Sequence, residues 1–355
     1  MNPELISSAT TGPPTMVVPK GTFLVMPTTF KGPCKFQKVF VQIEGTVIAP
    51  NDPRKWRGID PTLWLQFESV SKLNVSGSGE INGRGQNWWK QSCKISPKAA
   101  IKFADCSDLW VTNLRSVDSQ QFHISILNSQ RVTISNLKIV APGLSPNTDG
   151  IHIQNSQHVR VEKSVIGTGD DCISIGTSVY DVHIEQIACG PGHGISIGSL
   201  GKYGTEATVE DVFVRFSNFY ETTNGVRIKT WQGGKGFARG ISFEHCNFTN
   251  VDNPIIIDQY YCDGVPGKCK NQTIRFYAKK NTIRVSNVTY SNLQGTSRTP
   301  AAISLNCSQS VPCNLLQFDM VNLISSDHKI NPQAYCINAH GNAKGFINPK
   351  ISCLQ

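Results

Sequence analysis

Three aspartates and a histidine recur at a fixed spacing in the middle of this chain. Asp149, Asp171 and His193 follow one another at intervals of 22 residues, and Asp170 directly precedes Asp171. Paired carboxyl groups can act as general acid and general base, and a neighbouring histidine can adjust their protonation. Clustered carboxylates cannot all ionise cheaply, so one of them is expected to stay protonated at mildly acidic pH. Turn capping explains a single aspartate of this kind, but it explains three in one column poorly.

The same spacing repeats a short strand pattern, which must position these residues. Each polar residue is followed by two apolar residues at alternate positions, and the series continues from Asn224 and from Asn253. A period of 20 to 30 residues with one strand per repeat is typical of stacked, coiled β structure. Stacking as parallel strands would place equivalent positions about 4.8 Å apart. An interior ladder is then predicted at Ile151, Ile173, Ile195, Val226 and Ile255, with His152, Ser174, Ser196 and Arg227 facing outward.

The fold class predicted from this pattern is all-β, a single-stranded right-handed parallel β-helix. An all-β sandwich also has short strands at regular spacing, but it does not repeat one pattern in register over five units. Residues 1–14 are interpreted as a flexible lead-in and residues 15–355 as one catalytic domain. No run approaches 18 apolar residues, so no transmembrane helix is predicted. The residues after Met1 are not basic and then apolar, so they do not resemble a signal peptide.

The net charge restricts the kinds of molecule that the protein would bind, and the cysteine content restricts the cellular compartment in which it would fold. The formal net charge is +9, which suits an acidic polysaccharide, nucleic acid or anionic membrane, although it could serve solubility alone. Twelve cysteines are many for a cytosolic protein. Four pairs are close in sequence, which favours disulfides over zinc knuckles: Cys172 with Cys189, Cys262 with Cys269, Cys307 with Cys313, and Cys336 with Cys353. Five Asn-x-Ser/Thr sequons agree with secretion.

Four short motifs together resemble the signature of polygalacturonases, glycoside hydrolase family 28, and plant members in particular. They are Asn147-Thr148-Asp149-Gly150, Gly169-Asp170-Asp171-Cys172, Gly192-His193-Gly194 and Arg227-Ile228-Lys229. The resemblance implies a right-handed parallel β-helix that hydrolyses α-1,4 bonds between galacturonic acid units with inversion at the anomeric carbon. It implies Asp170 as general acid, Asp149 with Asp171 as the base pair, and His193 beside the acid. An inverting pair of carboxyls must leave room for the attacking water.

Binding residues are expected on the same face. Arg227 and Lys229 alternate in one strand, and together they could hold a galacturonate carboxylate. By resemblance Tyr261 contacts substrate, with Tyr260 the alternative. Asn147 is expected to support the turn that presents Asp149, and it could also bind substrate. No cofactor and no metal are expected. The expected partner is polygalacturonate or pectin, bound by a secreted monomer of the cell wall, without a nucleic-acid or membrane partner. Family members also carry further N-terminal coils and a cap, so an N-terminal truncation is expected.

Rival interpretations remain open at this point. A catalytically silent wall protein could bind pectate through its basic face. A calcium-dependent pectate lyase would share the fold and cleave by elimination. A pectin methylesterase has its paired aspartates in different motifs, which makes it the weaker alternative.

Overall fold

Strands form nearly all of the regular structure of this protein. The computed structural model describes residues 13–56, 58, 60, 63–90, 99–262, 282–327 and 330–354. Within them the helical segments are a 3-10 turn at Pro53–Trp56, α1 at Gln86–Trp89 and a 3-10 turn at Lys202–Gly204. None of these described helices is long or apolar enough to cross a bilayer. The predicted all-β class is therefore confirmed.

One parallel sheet carries the strands of the predicted repeat. It has eleven strands, one from each successive coil. In chain order they are β3 (Thr28–Lys31), β6 (Leu63–Glu68), β9 (Ala99–Ala104), β12 (Phe122–Leu127), β15 (Ile151–Gln154), β17 (Ile173–Ile175), β19 (Ile195–Leu200), β22 (Asn224–Trp231), β25 (Asn253–Tyr261), β27 (Ala301–Asn306) and β29 (Gln333–Ile337).

The remaining nineteen strands form the other side of the coil, again all parallel. They are β1 (Thr15–Val18), β2 (Thr22–Leu24), β4 (Val39–Ile43), β5 (Thr46–Ile48), β7 (Ser71–Ser76), β8 (Glu80–Asn82), β10 (Ser107–Thr112), β11 (Arg115–Val117), β13 (Gln130–Ser135), β14 (Lys138–Val140), β16 (Gln157–Gly167), β18 (Val179–Cys189), β20 (Glu206–Arg215), β21 (Asn218–Tyr220), β23 (Lys235–Glu244), β24 (Asn247–Val251), β26 (Arg284–Ser297), β28 (Cys313–Ser325) and β30 (Ala339–Asn348).

Each coil runs from the first sheet through the second and returns one strand further along. After β15 the chain forms β16, which pairs with both β13 and β14 of the preceding coil, and it then re-enters the first sheet as β17. Parallel pairing between one coil and the next continues from β3 to β29. The architecture is the right-handed parallel β-helix that the sequence predicts.

The interior ladder lies where the repeat pattern predicts it. Ile151 pairs with Ile173, Ile173 with Ile195, Ile195 with Val226, and Val226 with Ile255. All five side chains are fully buried. Burying each one stabilises the fold by about 1.5–3 kcal/mol relative to exposure. This apolar stack fixes the register, because a slip by one residue would turn every interior side chain outward.

Disulfides close three of the four predicted short loops. The bonded pairs are Cys172 with Cys189, Cys307 with Cys313, and Cys336 with Cys353. The fourth predicted pair includes Cys269, which lies outside the described residues, as does most of the predicted lead-in over residues 1–14. Cys172 directly follows Asp171, so the first disulfide links the central aspartate turn to the long strand β18.

Candidate active site

The predicted acidic residues lie in stacked turns at the start of consecutive strands of the eleven-stranded sheet. Asp149 and Gly150 precede β15, Asp170 and Asp171 lead to β17, and His193 leads to β19. Backbone hydrogen bonds join these turns: the Gly150 N–H donates to the Asp171 carbonyl at 2.9 Å, and the His193 N–H donates to the Asp170 carbonyl at 2.8 Å. The stacking that the sequence predicts is present.

Glycine is required beside the histidine because the next coil approaches closely. Gly194 has φ of +82°, and a Cβ there would lie 2.2 Å from the carbonyl oxygens of Asn224 and Gly225. No side chain can be placed at that separation. Gly194 therefore lets the coil of His193 stack tightly on the coil that carries Arg227 and Lys229.

Both side-chain oxygens of Asp171 accept hydrogen bonds from basic side chains. Its Oδ1 accepts from Arg227 Nη2 at 2.8 Å and from Ser196 Oγ at 2.8 Å, and its Oδ2 accepts from Lys229 Nζ at 2.8 Å. The Asp171 side chain is 2% exposed and the Lys229 side chain 9%. Arg227 and Lys229, predicted to share one face, do so, and they converge on this carboxylate.

The charge of Asp171 follows from those contacts. Burial alone would raise the pKa of the Asp171 carboxyl, but Lys229 and Arg227 outweigh it and hold the pKa at about 2. The buried carboxylate is thus ionised at pH values well above 2. The carboxylate and its two basic partners carry opposite charges, and buried charges are kept inside a protein only when they are paired in this way.

Asp149 has the opposite electrostatic environment. It is buried, and its burial raises the pKa of its carboxyl well above the usual range. The negative charges of Asp170 and Asp171 raise that pKa further, while the Ser174 hydroxyl and Lys229 lower it less. Of the two carboxyls whose pKa is shifted, Asp149 therefore keeps its proton to higher pH than Asp171.

Asp170 faces the histidine and is more open than Asp171. Its side chain is 18% exposed, and its Oδ1 lies 3.0 Å from His193 Nδ1. The same oxygen accepts from the Asp171 backbone N–H at 2.8 Å, and Oδ2 accepts from Asn147 Nδ2 at 3.3 Å. Asn147, predicted to support the turn before Asp149, therefore also orients Asp170.

Of the two adjacent tyrosines, Tyr261 lies at the site. The Lys229 ammonium is 5.4 Å from the centre of its ring, and the Trp231 ring packs edge-on at 6.2 Å. The Tyr260 side chain is directed elsewhere, because its hydroxyl accepts from the Gln309 N–H at 3.2 Å. A sugar ring on this face would meet Tyr261 and Lys229 together.

The spacing of these groups resembles a cation site, but their contacts do not suit one. Ligand atoms of Asp170, Asp171 and His193 lie within 4.8 Å of one another. Both oxygens of Asp171 already accept from cationic donors, Lys229 and Arg227. A divalent ion would have to displace an ammonium and a guanidinium. These contacts make Asp171 a poor ligand for a divalent ion.

Sequence reasoning missed several polar residues beneath the carboxyls. Ser174 and Ser196 were predicted only to face outward, and both are buried, since the aspartates and the basic side chains cover them. His152 was also given no role, yet its Nδ1 lies 2.8 Å from Ser174 Oγ. The signal was their register: all three belong to the same outward column as Arg227.

Replacing Asp149 with asparagine should stabilise the fold near neutral pH. Below about pH 3.8, its ordinary pKa, both folded and unfolded states are protonated and nothing changes. As pH rises, the unfolded state ionises first, so the wild-type carboxyl destabilises the folded protein, and the asparagine variant does not. We expect a gain of about 1–3 kcal/mol at pH 7 and almost none near pH 3, measured by urea unfolding. An equal effect at both pH values would contradict the raised pKa.

The chain is similar to known proteins over most of its length. The family model of glycosyl hydrolases family 28 matches residues 9–348. A polygalacturonase of Malus domestica is 45% identical over 96% of this chain and 73% of its own length. Polygalacturonase-2 of Solanum lycopersicum is 42% identical over 99% of this chain and 76% of its own. The solved polygalacturonase of Erwinia carotovora ssp. carotovora superposes with a TM-score of 0.72 at 22% identity, covering 93% of this chain and 89% of that one.

Proposed function

Because this chain belongs to glycosyl hydrolases family 28, we propose that it cleaves the α-1,4 linkages between galacturonic acid units of pectin, with inversion at the anomeric carbon. It is a glycoside hydrolase of the polygalacturonase type. One observation supports the proposed mechanism most strongly: Asp170 is partly exposed beside His193, whereas the neighbouring Asp171 is buried and paired with Lys229 and Arg227, so one site holds an accessible carboxyl group and a permanently charged carboxylate.

Asp170 is the proposed general acid. It is the carboxyl beside His193 and Asn147, and its partial exposure leaves it accessible to a glycosidic oxygen. The Asp171 N–H and the Asn147 amide fix its orientation. His193, 3.0 Å away and 39% exposed, would exchange protons between Asp170 and solvent after the leaving group departs.

Asp149 and Asp171 are the proposed base pair for the attacking water. Asp171 supplies a permanent negative charge that holds the water, since its pKa is about 2. Asp149 must lose its proton before it can accept one from the water. Burial and the charges of Asp170 and Asp171 raise its pKa, and a carboxylate with a raised pKa is a stronger base once it has ionised.

Arg227, Lys229, Tyr261 and Asn147 are the proposed substrate-binding residues. Arg227 donates hydrogen bonds from Nη2 to Asp171 and from Nε to Ser196. Because a guanidinium has five N–H donors, others remain for a galacturonate carboxylate. The Lys229 ammonium has three N–H donors, and one of them donates a hydrogen bond to Asp171. The Tyr261 ring next to this ammonium offers a face for the sugar ring.

The wider setting is proposed as well. The three disulfides support an oxidising, extracellular location such as the cell wall. The net charge of +9 supports attraction to the acidic polymer. We propose that the protein acts on pectin as a monomer, with no cofactor, no metal and no nucleic-acid or membrane partner.

Product analysis on polygalacturonate tests this function. We expect reducing ends to appear without ultraviolet-absorbing unsaturated products, and we expect a chelator to leave the rate unchanged. Proton NMR of the first products should show the β-anomer, as inversion requires. Unsaturated products lost on chelation would indicate a lyase, and binding without new reducing ends would indicate a silent pectate-binding protein. Either outcome would overturn the proposal.

A further inference from the structure

A second pairing of a lysine with aromatic rings lies beside the first, and the proposed mechanism does not use it. The Lys202 ammonium lies 5.2 Å from the centre of the Trp231 ring and 5.3 Å from the centre of the Tyr203 ring. The Tyr203 and Trp231 ring centres are 5.9 Å apart. This arrangement repeats that of the Lys229 ammonium, which lies 5.4 Å from the centre of the Tyr261 ring.

The two pairings are continuous through Trp231. Its ring packs against Tyr203 at 5.9 Å and against Tyr261 at 6.2 Å. Trp231 and Tyr261 pair in register at the ends of β22 and β25, and Lys202 and Tyr203 follow the end of β19. The second pairing therefore adjoins Lys229 at the ends of three consecutive strands, whereas the acidic turns lie at strand starts.

The turn that carries Lys202 and Tyr203 stacks closely on the next coil. A Cβ at Gly201 would lie 2.7 Å from the Gly234 Cα, so the two backbones are in contact there. Beneath the turn Trp231 is 7% exposed, whereas Tyr203 is 79% exposed, more than any other described tyrosine, phenylalanine or tryptophan. An exposed tyrosine offers apolar surface and a polar hydroxyl, a combination that is enriched at binding surfaces. The fold thus holds a ring open to solvent beside a fixed positive charge.

We propose that Lys202 and Tyr203 bind a further galacturonate unit of the polymer, next to the unit held by Lys229 and Tyr261. A galacturonate unit has a carboxylate, which suits the Lys202 ammonium, and an apolar ring face, which suits the Tyr203 ring. The proposal rests on the proposed function in taking the polymer as the ligand. It also implies a preference for a free carboxylate at this unit, because a methyl ester carries no charge for Lys202 to pair with.

Lys202→Met tests the charge, because methionine keeps an apolar stem over the rings but removes the ammonium. Binding of hexagalacturonate is measured by calorimetry in the Asp170→Asn background, which should prevent cleavage during the titration. We expect the affinity to fall by about tenfold, and Lys202→Arg should retain most of it. Lys138→Met is the matched control. It removes the same charge from an exposed position on β14 in the other sheet, and it should leave the affinity unchanged.

Tyr203→Asn tests the ring. Tyr203 has φ of +60°, and asparagine tolerates this left-handed conformation, so the turn should keep its backbone and the protein its unfolding midpoint. We expect hexagalacturonate to bind about fivefold more weakly. Tyr180→Asn is the control, because Tyr180 is 45% exposed but lies on β18 and packs against His158. It should bind like the Asp170→Asn background.

Three results would overturn the proposal. They are an unchanged affinity in folded Lys202→Met or Tyr203→Asn, an equal loss in the matched control variants, and no binding of hexagalacturonate by the Asp170→Asn background. A structural role alone would lower the unfolding midpoint without the rescue by Lys202→Arg.

Activity gives a separate readout that rests on the proposed function. A contact made equally in the ground state and the transition state affects KM rather than kcat. Lys202→Met should therefore raise KM on polygalacturonate with little change in kcat, and it should raise KM less on highly esterified pectin. If the unsubstituted protein produces no reducing ends, the proposed function fails, while calorimetry still decides whether Lys202 and Tyr203 bind the acidic oligomer.

Discussion

Replacing Asp170 with asparagine should reduce kcat on polygalacturonate by about 10³-fold while the fold stays intact. A positioned general acid contributes 10² to 10⁴ in rate, and an amide cannot supply the proton to the leaving oxygen. The side chain is partly exposed, and the asparagine carbonyl oxygen can keep the hydrogen bond from the Asp171 N–H, although its NH2 group cannot accept from Asn147. Initial rates of reducing-end formation measure the loss, and circular dichroism melting checks the fold.

Asp181 offers a matched control for that variant. It also contacts histidine, with His158 Nδ1 at 2.6 Å and His183 Nε2 at 3.0 Å, but it lies on β18 in the other sheet. Asp181→Asn should therefore leave kcat unchanged. Turnover of Asp170→Asn within a few-fold of the unsubstituted protein would mean that another group protonates the leaving oxygen.

Replacing Asp171 with asparagine should destabilise the protein by about 3–5 kcal/mol at pH 7, because it leaves two largely buried cations without their counter-charge. Arg227 and Lys229 both donate to this carboxylate, and their side chains are 14% and 9% exposed. Urea unfolding of both proteins gives the difference in free energy. The variant should also lose activity, since the site loses its permanent negative charge.

Asp108 provides the control for this effect. Its carboxylate pairs with Arg131 at 2.7 Å, but the arginine side chain is half exposed. Asp108→Asn should therefore cost less than about 1 kcal/mol. If the two substitutions destabilised the protein equally, the burial of the Asp171 cluster could not be the cause.

The contribution of Asp171 should also depend on pH in a defined direction. Its folded pKa of about 2 lies below its ordinary value of 3.8, so the stabilisation is present above the ordinary value and is lost as pH falls toward 2. The Asp149 carboxyl acts in the opposite sense at higher pH. Near-neutral stability is therefore a compromise between two carboxyls of one site.

The sequence was sufficient to predict the coils and the interior ladder because one apolar pattern recurs in register. The 22-residue period also predicted that the turns of Asp171 and His193 stack, and the family resemblance placed His193 beside Asp170. It could not predict that Arg227 and Lys229 both bind Asp171. Their sequence separations from it are 56 and 58 residues, and which carboxylate a long side chain reaches depends on its rotamer rather than its register.

The sequence was equally unable to predict the hydrogen-bond partners of the two serine hydroxyls. Ser174 and Ser196 occupy equivalent positions and are both serine, yet Ser196 donates to Asp171 whereas the Ser174 hydroxyl lies 2.8 Å from His152 Nδ1. What distinguishes them is the residue one coil away on either side, an arginine or a histidine. Similar short patterns can thus have different chemical consequences when their neighbours in the stack differ.

Each coil contributes a different side chain to the cluster of acidic and basic residues. An insertion or a deletion in these coils should therefore either preserve the site or abolish it. Deleting one residue inside β17 would invert the alternation and expose Ile173, which is fully buried in the native register. Removing or adding a whole winding elsewhere in the solenoid would leave every neighbouring pair of windings able to stack. Whole coils can therefore be added or removed outside the stretch from Asp149 to Lys229 without loss of the site. Within that stretch only substitutions are tolerable.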